Sequence, residues 1–276
     1  MHAIAANGAS IPAIGFGTWT LDDAGAEAMV AAALGAGYRH IDTAAMYGNE
    51  AGVGAGLKAG GVARDDVFLT TKVWSDQISD GALQASLERS VAKLGVEQVD
   101  LALIHWPSKT IPLDESIGAL NDAKAEGLAR HIGVSNFTIP LMEEAVSLSD
   151  APLVCNQIEY HPLLNQSRVI EAARGHGMAV TSYCPLSRGG DLFADPAVAD
   201  PAARLGVSPA QIVLRWHMQQ DGVVAIPRTS NPARLPGNIA IFDFELTPEE
   251  MAAISALRAA GHRICDFDFA PEWDAA

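Results

Sequence analysis

Tyr38-Arg-His-Ile-Asp42-Thr-Ala-Ala-Met-Tyr47-Gly-Asn-Glu50 reads as one strand, one loop and the start of one helix. Residues 38–41 follow Gly35 and Gly37 and carry aromatic and β-branched side chains, the composition of a short strand. The chain leaves that strand on Asp42, presents the phenol of Tyr47 five residues later, and enters a helix at Asn49-Glu50. Catalytic side chains concentrate on loops held by a rigid strand in this way. Alone, an Asp and a Tyr establish nothing. The question is whether other strand ends bring complementary groups to the same place.

Outward from this unit the same alternation repeats. Residues 1–12 read as a hairpin about the Asn7-Gly8 turn, closed by Pro12. Strands are expected at 14–17, 38–41, 67–73, 99–106, 129–134, 153–158, 178–183 and 223–226. Helices are expected at 24–34, 50–58, 80–94, 113–126, 140–147, 166–175 and 208–219, with shorter ones near 232–238 and 248–258. Strands that alternate with helices pair in parallel, and eight such units close into a (β/α)8 TIM barrel. No polar linker interrupts the series, so one domain spanning 1–276 is expected, with the hairpin as an N-terminal cap. The rival is an open doubly wound sheet. It is disfavoured because no GxGxxG run follows an early strand.

Bulk properties narrow the function. Of 276 residues, 49% are hydrophobic and 18% charged, enough apolar material for a sizeable core. The net charge of −15 argues against a nucleic-acid or anionic-membrane partner, since both demand a basic surface. Cys155, Cys184 and Cys265 are too few and too scattered for a disulfide framework or a metal site, so no metal is expected. No secretion signal or membrane-length apolar run is present, which makes a cytoplasmic location the expectation.

In a TIM barrel the working groups sit at the C-terminal strand ends. Reading those ends in order gives Trp19, then Asp42 and Tyr47, then Lys72 and Trp74, then His105 and Trp106. Ser135-Asn136, Asn156-Gln157, Tyr183 and Arg228-Thr229 complete the ring. An Asp, a Tyr, a Lys and a His on three consecutive strand ends can meet. A phenol has an unperturbed pKa near 10 and is a poor acid at neutral pH. A neighbouring Lys cation should favour the phenolate and lower that pKa, with Asp42 as the counter-charge. His105 can donate a hydrogen bond and polarise a carbonyl. The set suits protonation of a forming alkoxide, and an alkoxide forms when hydride from a cofactor reaches a carbonyl. Ser135, Asn136 and Gln157 match a carboxamide, and Tyr183 offers a flat face for a nicotinamide ring. The loop Pro185-Leu186-Ser187-Arg188-Gly189-Gly190 and the group Arg228, Thr229 and Arg234 lie where barrels hold phosphate.

The sequence resembles the aldo-keto reductase family, in its bacterial 2,5-diketogluconate-reductase-like branch. The matching stretches are Gly15-Phe-Gly-Thr-Trp19, Asp42-Thr-Ala-Ala-Met-Tyr47-Gly-Asn-Glu50, Thr71-Lys-Val-Trp74, His105-Trp-Pro107, Ile132-Gly-Val-Ser-Asn-Phe137, Asn156-Gln-Ile-Glu-Tyr-His-Pro162 and Ile226-Pro-Arg-Thr229. The resemblance implies a catalytic tetrad of Asp42, Tyr47, Lys72 and His105, with Tyr47 as general acid. It implies NADPH as hydride donor, held by Gly17, Thr18, Trp19, Ser135, Asn136, Gln157, Tyr183, Pro185, Leu186, Ser187, Arg228, Thr229, Ser230, Arg234 and Asn238. Where the family carries Lys-Ser and later Glu-Asn, this chain has Arg228-Thr229 and Gly237-Asn238. Charge for a 2′-phosphate survives, while the missing carboxylate at Gly237 should loosen the adenine end. Tyr183 stands where many bacterial members carry Trp.

Trp19, Met46, Trp74 and Trp106 would line a mouth for a small carbonyl compound with apolar bulk. The aromatic tail, residues 265–273, is expected either to fold over that mouth as a substrate loop or to lie on the surface. A monomer is expected. Two other readings remain at this point. One is a regulatory subunit that binds a nicotinamide nucleotide with little or no turnover. The other is a Schiff-base enzyme built on Lys72, which would leave Asp42 and Tyr47 without a role.

Overall fold

The computed structural model describes residues 2–275, so Met1 and Ala276, the ends of the expected 1–276 domain, lie outside the described residues. A two-stranded antiparallel hairpin comes first, β1 (Ala3–Ala6) and β2 (Ala9–Pro12), turning on Asn7 and Gly8, both at positive φ. Eight parallel strands follow: β3 (Phe16–Gly17), β4 (His40–Asp42), β5 (Phe68–Val73), β6 (Val99–Ile104), β7 (Ala129–Ser135), β8 (Leu153–Glu159), β9 (Ala179–Tyr183) and β10 (Val223–Ala225). Each pairs with its neighbour in sequence. The sheet closes on itself: Ile14 bridges Ala225 in parallel, Gly15 N–H donates to Ala225 O at 2.8 Å, and Gly17 N–H donates to Pro227 O at 3.1 Å. This is the (β/α)8 barrel that the alternation dictates.

Helices cover the outside: α1 (Asp23–Gly35), α2 (Glu50–Ala59), α3 (Ala82–Leu94), α4 (Leu113–Ala125), α5 (Ile139–Leu148) and α6 (Ser167–Gly175). After β9 come α7 (Asp191–Ala194), α8 (Pro196–Leu205) and α9 (Pro209–Met218); after β10 come α10 (Leu235–Ile239) and α11 (Pro248–Ala256). The boundaries follow local chemistry. Asp22 caps α1 by accepting from Gly25 N–H at 2.8 Å, and Ser208 and Thr247 form capping boxes with Gln211 and Glu250. The expected elements are present within a few residues, but α7 and α8 were not foreseen. Asp195 caps α8 and Pro196 opens it, a start signal that went unread behind the glycine-ended loop.

Successive side chains of a strand point to opposite faces, and this parity sorts the whole barrel. On β6, Ala102 and Ile104 join the shell packed under the helices, while Leu101 and Leu103 face inward. Ala6, Ala9 and Ile11 of the hairpin, with Phe68, Leu101, Leu103, Val154 and Val224, fill the lower interior. Each of the larger side chains stabilises by roughly 1.5–3 kcal/mol when fully buried, so the barrel centre is a packed core and not a channel. A ligand therefore enters from the opposite end. Continued two residues at a time, the inward parity runs from His40 to Asp42, from Thr70 to Lys72 and Trp74, and from Leu103 to His105.

Helix α2 shows how tightly this frame is set. It contains Gly52, Gly54 and Gly56, a sequence that costs helix stability. A Cβ at Gly52 would stand 2.1 Å from Asp23 O, and one at Gly54 would stand 2.6 Å from Leu94 O. The glycines let α2 lie directly against α1 and the end of α3. That contact seats Glu50 and Asn49, which border the loop carrying Tyr47.

Candidate active site

Asp42, Lys72 and Tyr47 meet at the open end. Lys72 Nζ donates to Asp42 Oδ1 at 2.5 Å, to Thr43 O at 2.8 Å and to the Tyr47 hydroxyl at 3.2 Å. All three ammonium protons are thereby used, in a side chain with no solvent exposure. Gln157 Nε2 donates to the other Asp42 oxygen at 2.7 Å. Both carboxylate oxygens are thus bonded, which a buried charge requires. The Tyr47 ring lies 5.7 Å from the His105 ring, edge to face, and Lys72 Nζ is 4.9 Å from the Tyr47 centroid.

The loop between Asp42 and Tyr47 is held from below. Asn49 Nδ2 donates to Thr18 O at 2.9 Å and to Leu21 O at 2.8 Å, and its Oδ1 accepts from Thr43 Oγ1 at 3.2 Å. Glu50, also buried, accepts from Thr71 Oγ1 at 2.7 Å, next to Lys72. Sequence reasoning read Asn49 and Glu50 only as a helix start. The signal that could have found them is polarity itself, since a buried Asn and Glu beside a reactive loop must be bonded to something.

The protonation pattern departs from expectation in one respect. Lys72 was expected to lower the Tyr47 pKa. Burial is the larger effect and pushes the phenol up, and the Lys72 cation only partly offsets it. Burial alone would push Lys72 down, but Asp42 and Tyr47 outweigh that and hold the ammonium above its ordinary range. The resting pair is therefore a protonated phenol against a protonated amine. Burial, then the Lys72 charge, hold His105 well below the usual imidazole range, so it is neutral. Its buried Nδ1 has no partner among the described residues. The Nε2–H tautomer leaves an acceptor unpaired there, not a donor, and keeps a proton on the other nitrogen.

Aromatic rings frame this centre. Trp19 lies 4.8 Å from Tyr47, and Trp74 lies 5.1 Å from His105. Trp19 and Met46 are exposed at 48% and 42%, whereas Trp106 is buried at 4%. The tail does fold over this side. Phe269 meets Trp74 at 5.4 Å and Trp106 at 5.2 Å, and Trp273 meets Trp106 at 6.0 Å.

The later strand ends lie around the same rim. Asn136, at φ +63°, donates to His105 O at 3.0 Å and accepts from the Tyr183 hydroxyl at 2.7 Å. Ser135 Oγ donates to Gln157 O at 2.8 Å. Gln157 is expected to face a carboxamide; one N–H of its side-chain amide donates to Asp42 at 2.7 Å, which leaves its second N–H and its carbonyl oxygen for such a partner. Pro185 and Ser187 are buried, Leu186 half-buried. Ser187, Arg188, Gly189 and Gly190 all have positive φ, at little cost for the two glycines and with backbone strain at Ser187 and Arg188. Beyond β10, Thr229 and Asn238 are buried while Arg228, Ser230 and Arg234 are exposed. Arg228 Nε donates to Trp19 O at 3.1 Å, which links the first and last strands. Thr18 is buried, with its hydroxyl on Asp42 O at 3.1 Å, and a Cβ on Gly17 would stand 3.0 Å from Ile226 O.

Comparison with known proteins agrees with this geometry. The model of the Aldo/keto reductase family matches residues 13–259. An aldo-keto reductase of Mycobacterium sp. (strain MCS) is 45% identical over 255 residues, covering 91% of this chain and 88% of that protein. The methylglyoxal reductase DkgB of Escherichia coli O157:H7 is 41% identical over 268 residues, covering 96% of this chain and all of that protein. Among solved structures, a putative 2,5-diketo-D-gluconic acid reductase B superposes with a TM-score of 0.96 at 48% identity, over 100% of this chain and 98% of that one. A Bombyx mori aldo-keto reductase in complex with NADP superposes at 0.88 with 36% identity, over 96% and 94% of the two chains. With the match running through nearly every strand and helix of the barrel, the chain belongs to the aldo/keto reductase family.

Proposed function

We propose that Tyr47 is the proton donor of this enzyme, with Lys72, Asp42 and His105 as its supporting groups. The enzyme itself is an NADPH-dependent reductase of aldehydes and ketones. The observation that carries the assignment is the Lys72 ammonium, 3.2 Å from the Tyr47 hydroxyl and 2.5 Å from Asp42, in a desolvated corner of the barrel mouth.

Bound NADPH supplies the hydride that the carbonyl carbon receives. The chain's own part is the proton. Tyr47 keeps its proton at neutral pH because burial disfavours the phenolate. As negative charge grows on the carbonyl oxygen, Tyr47 gives up that proton, and the cation 3.2 Å away stabilises the phenolate left behind. Asp42 fixes Lys72 and is itself fixed by Gln157. Neutral His105 is a hydrogen-bond donor for the same oxygen and orients the substrate. Proton release from Tyr47 therefore moves charge within a preorganised cluster and recruits no solvent.

The residues present fit the cofactor. Among the described residues, Arg228 and Arg234 have no carboxylate within ion-pair reach, so in a chain of net charge −15 two cations remain for a phosphate. Thr229, Ser230 and Asn238 would join them at that end. Ser135, Asn136, Gln157 and Tyr183 would hold the nicotinamide end, with Gly17, Thr18 and Trp19 beside it. The turn through Pro185, Leu186 and Ser187 would pass over the pyrophosphate. Trp19, Met46, Trp74 and Trp106 would line the substrate mouth.

The relatives act on small dicarbonyls and keto-sugar acids by name, and such compounds belong at the head of a substrate panel. We further assign one barrel domain, a monomer and a cytoplasmic setting; no described helix is long and apolar enough to cross a membrane. The deciding assay follows the near-ultraviolet absorbance of NADPH with that panel, using wild type and Tyr47→Phe. Loss of turnover with retained NADPH binding in the variant is expected. Full turnover by Tyr47→Phe would overturn the assignment.

A further inference from the structure

Glu159 takes no part in the chemistry above, yet it is wholly buried at the C-terminal end of β8. It stands two residues past Gln157 and pairs in register with Tyr183. Its Oε1 accepts from His161 Nε2 at 3.0 Å and from the Ile264 N–H at 2.6 Å, and its Oε2 accepts from the Cys265 N–H at 2.7 Å. His161 is equally buried. Burial opposes the carboxylate charge, and the bonds from His161, Ile264 and Cys265 outweigh it, holding the group below the usual range.

Ile264 leads into the aromatic tail and Cys265 is its first residue. Two residues on, Phe267 meets Trp106 at 5.9 Å and stacks on Phe269 at 5.1 Å; Phe269 in turn meets Trp74, whose ring lies 5.1 Å from His105. A continuous line of contacts thus joins Glu159 to the reacting centre by way of the tail. The two phenylalanines are exposed at 48% and 38%, so no deep core fixes them. Their position depends on what holds the backbone. Lys109 Nζ donates to Asp268 O at 2.7 Å, but this contact is exposed and weakened by solvent. Asp274 accepts from Ile139 N–H at 2.9 Å, beyond the aromatic pair. Glu159 offers a full charge to two amides in a dry site, where such bonds are strongest.

We propose that Glu159, braced by His161, is a positioning residue for the tail: it sets where Phe267 and Phe269 stand against Trp74 and Trp106. It thereby sets how the enzyme ranks bulky against small carbonyl compounds. The inference rests on the reductase reading of the site, since ranking is read through turnover.

Glu159→Gln tests it without changing shape. A neutral amide offers one acceptor oxygen and turns its NH2 toward a group that also donates, so at least one tail amide loses its partner. Two substrates are compared with NADPH: methylglyoxal, too small to need the tail, and 2-naphthaldehyde, large enough to touch it. For 2-naphthaldehyde kcat/KM should fall roughly tenfold or more, mainly through KM, a size set by the loss of a charge-assisted bond. For methylglyoxal it should change by less than about twofold, the scale expected where no tail contact is lost. Equal losses for both substrates, or no loss for either, would overturn the proposal, because a purely structural role lowers both together. If the variant does not fold, hydrogen exchange on the wild-type protein decides. The amides of Ile264 and Cys265 should be protected far more than those of residues 267–269, and exchange of all of them at one fast rate would overturn the proposal. Failure of wild type to oxidise NADPH with either aldehyde would count instead against the reductase reading, and the exchange experiment would still report on the anchor.

Discussion

The two halves of the barrel rim obey opposite electrostatic rules. Across β4, β5 and β6 the charges are buried and mutually satisfied: Lys72 and Asp42 are at most 2% exposed, and every donor of the ammonium is used. Beyond β9 and β10 the charges are exposed and, among the described residues, unpaired with carboxylates: Arg188 and Arg228 lie on loops and Arg234 in the single turn before α10. The first arrangement suits chemistry, since a dry, fixed cation is worth most to a forming phenolate. The second suits reversible cofactor capture, since solvated arginines attract phosphate without a large desolvation cost.

Replacements in the buried half should therefore be severe and insensitive to salt. Tyr47→Phe removes the hydroxyl that Lys72 contacts and should lower kcat by roughly 10²–10⁴-fold. Fluorescence titration should find NADPH binding intact. Lys72→Met leaves Asp42 buried without its partner, and the fold should lose about 3–5 kcal/mol along with turnover. Urea denaturation measures the first effect, and an unchanged midpoint would show that Asp42 had not been relying on Lys72.

Replacements in the exposed half should be milder and should depend on salt. Arg228→Ala combined with Arg234→Ala should weaken NADPH by roughly tenfold or more at low ionic strength, with NADH little affected. A salt titration of the two dissociation constants checks this, and equal weakening of NADH would remove the phosphate from the explanation. Gly237→Glu, which returns a carboxylate to the adenine end, should tighten NADPH by only about twofold to fivefold, as befits an exposed polar contact.

The buried half also predicts a pH response. His105 is held neutral, well below its ordinary range, and burial pushes His217 down to about 4. Each stabilises the fold above about pH 6.5, where the unfolded imidazole is uncharged too, and that stability drains as pH falls toward the folded value. From pH 7 to pH 5, His217 should contribute a loss of roughly 1–2 kcal/mol and His105 a loss of the same sign, and His105→Gln should flatten the wild-type decline. Unfolding free energies at the two pH values make the comparison.

Much of this was legible in residues 38–50. Asp42 follows His40 by two, Tyr47 lies on the loop and Glu50 opens the helix, and the same parity places Lys72, Trp74 and His105. The sign of the Tyr47 shift was not legible. It required knowing that burial outweighs the Lys72 cation, and the rings packed on Tyr47, Trp19 and His105, are distant from it in sequence. Helices α7 and α8 were missed where one capping signal, Asp195-Pro196, competed with a stronger glycine signal.

By itself the sequence determined the alternation of strands and helices, the inward parity of the reactive side chains and the order in which they ring the mouth. These are properties of a period of two or of 3.6, and they act within a few residues. Tertiary structure alone decided that Gln157 would bond Asp42, 115 residues away, and that Glu159 would clamp the amides of Ile264 and Cys265, 105 and 106 residues away. Hydrogen bonds and desolvation are short-ranged in space and indifferent to separation along the chain, so they exist only once the barrel has closed.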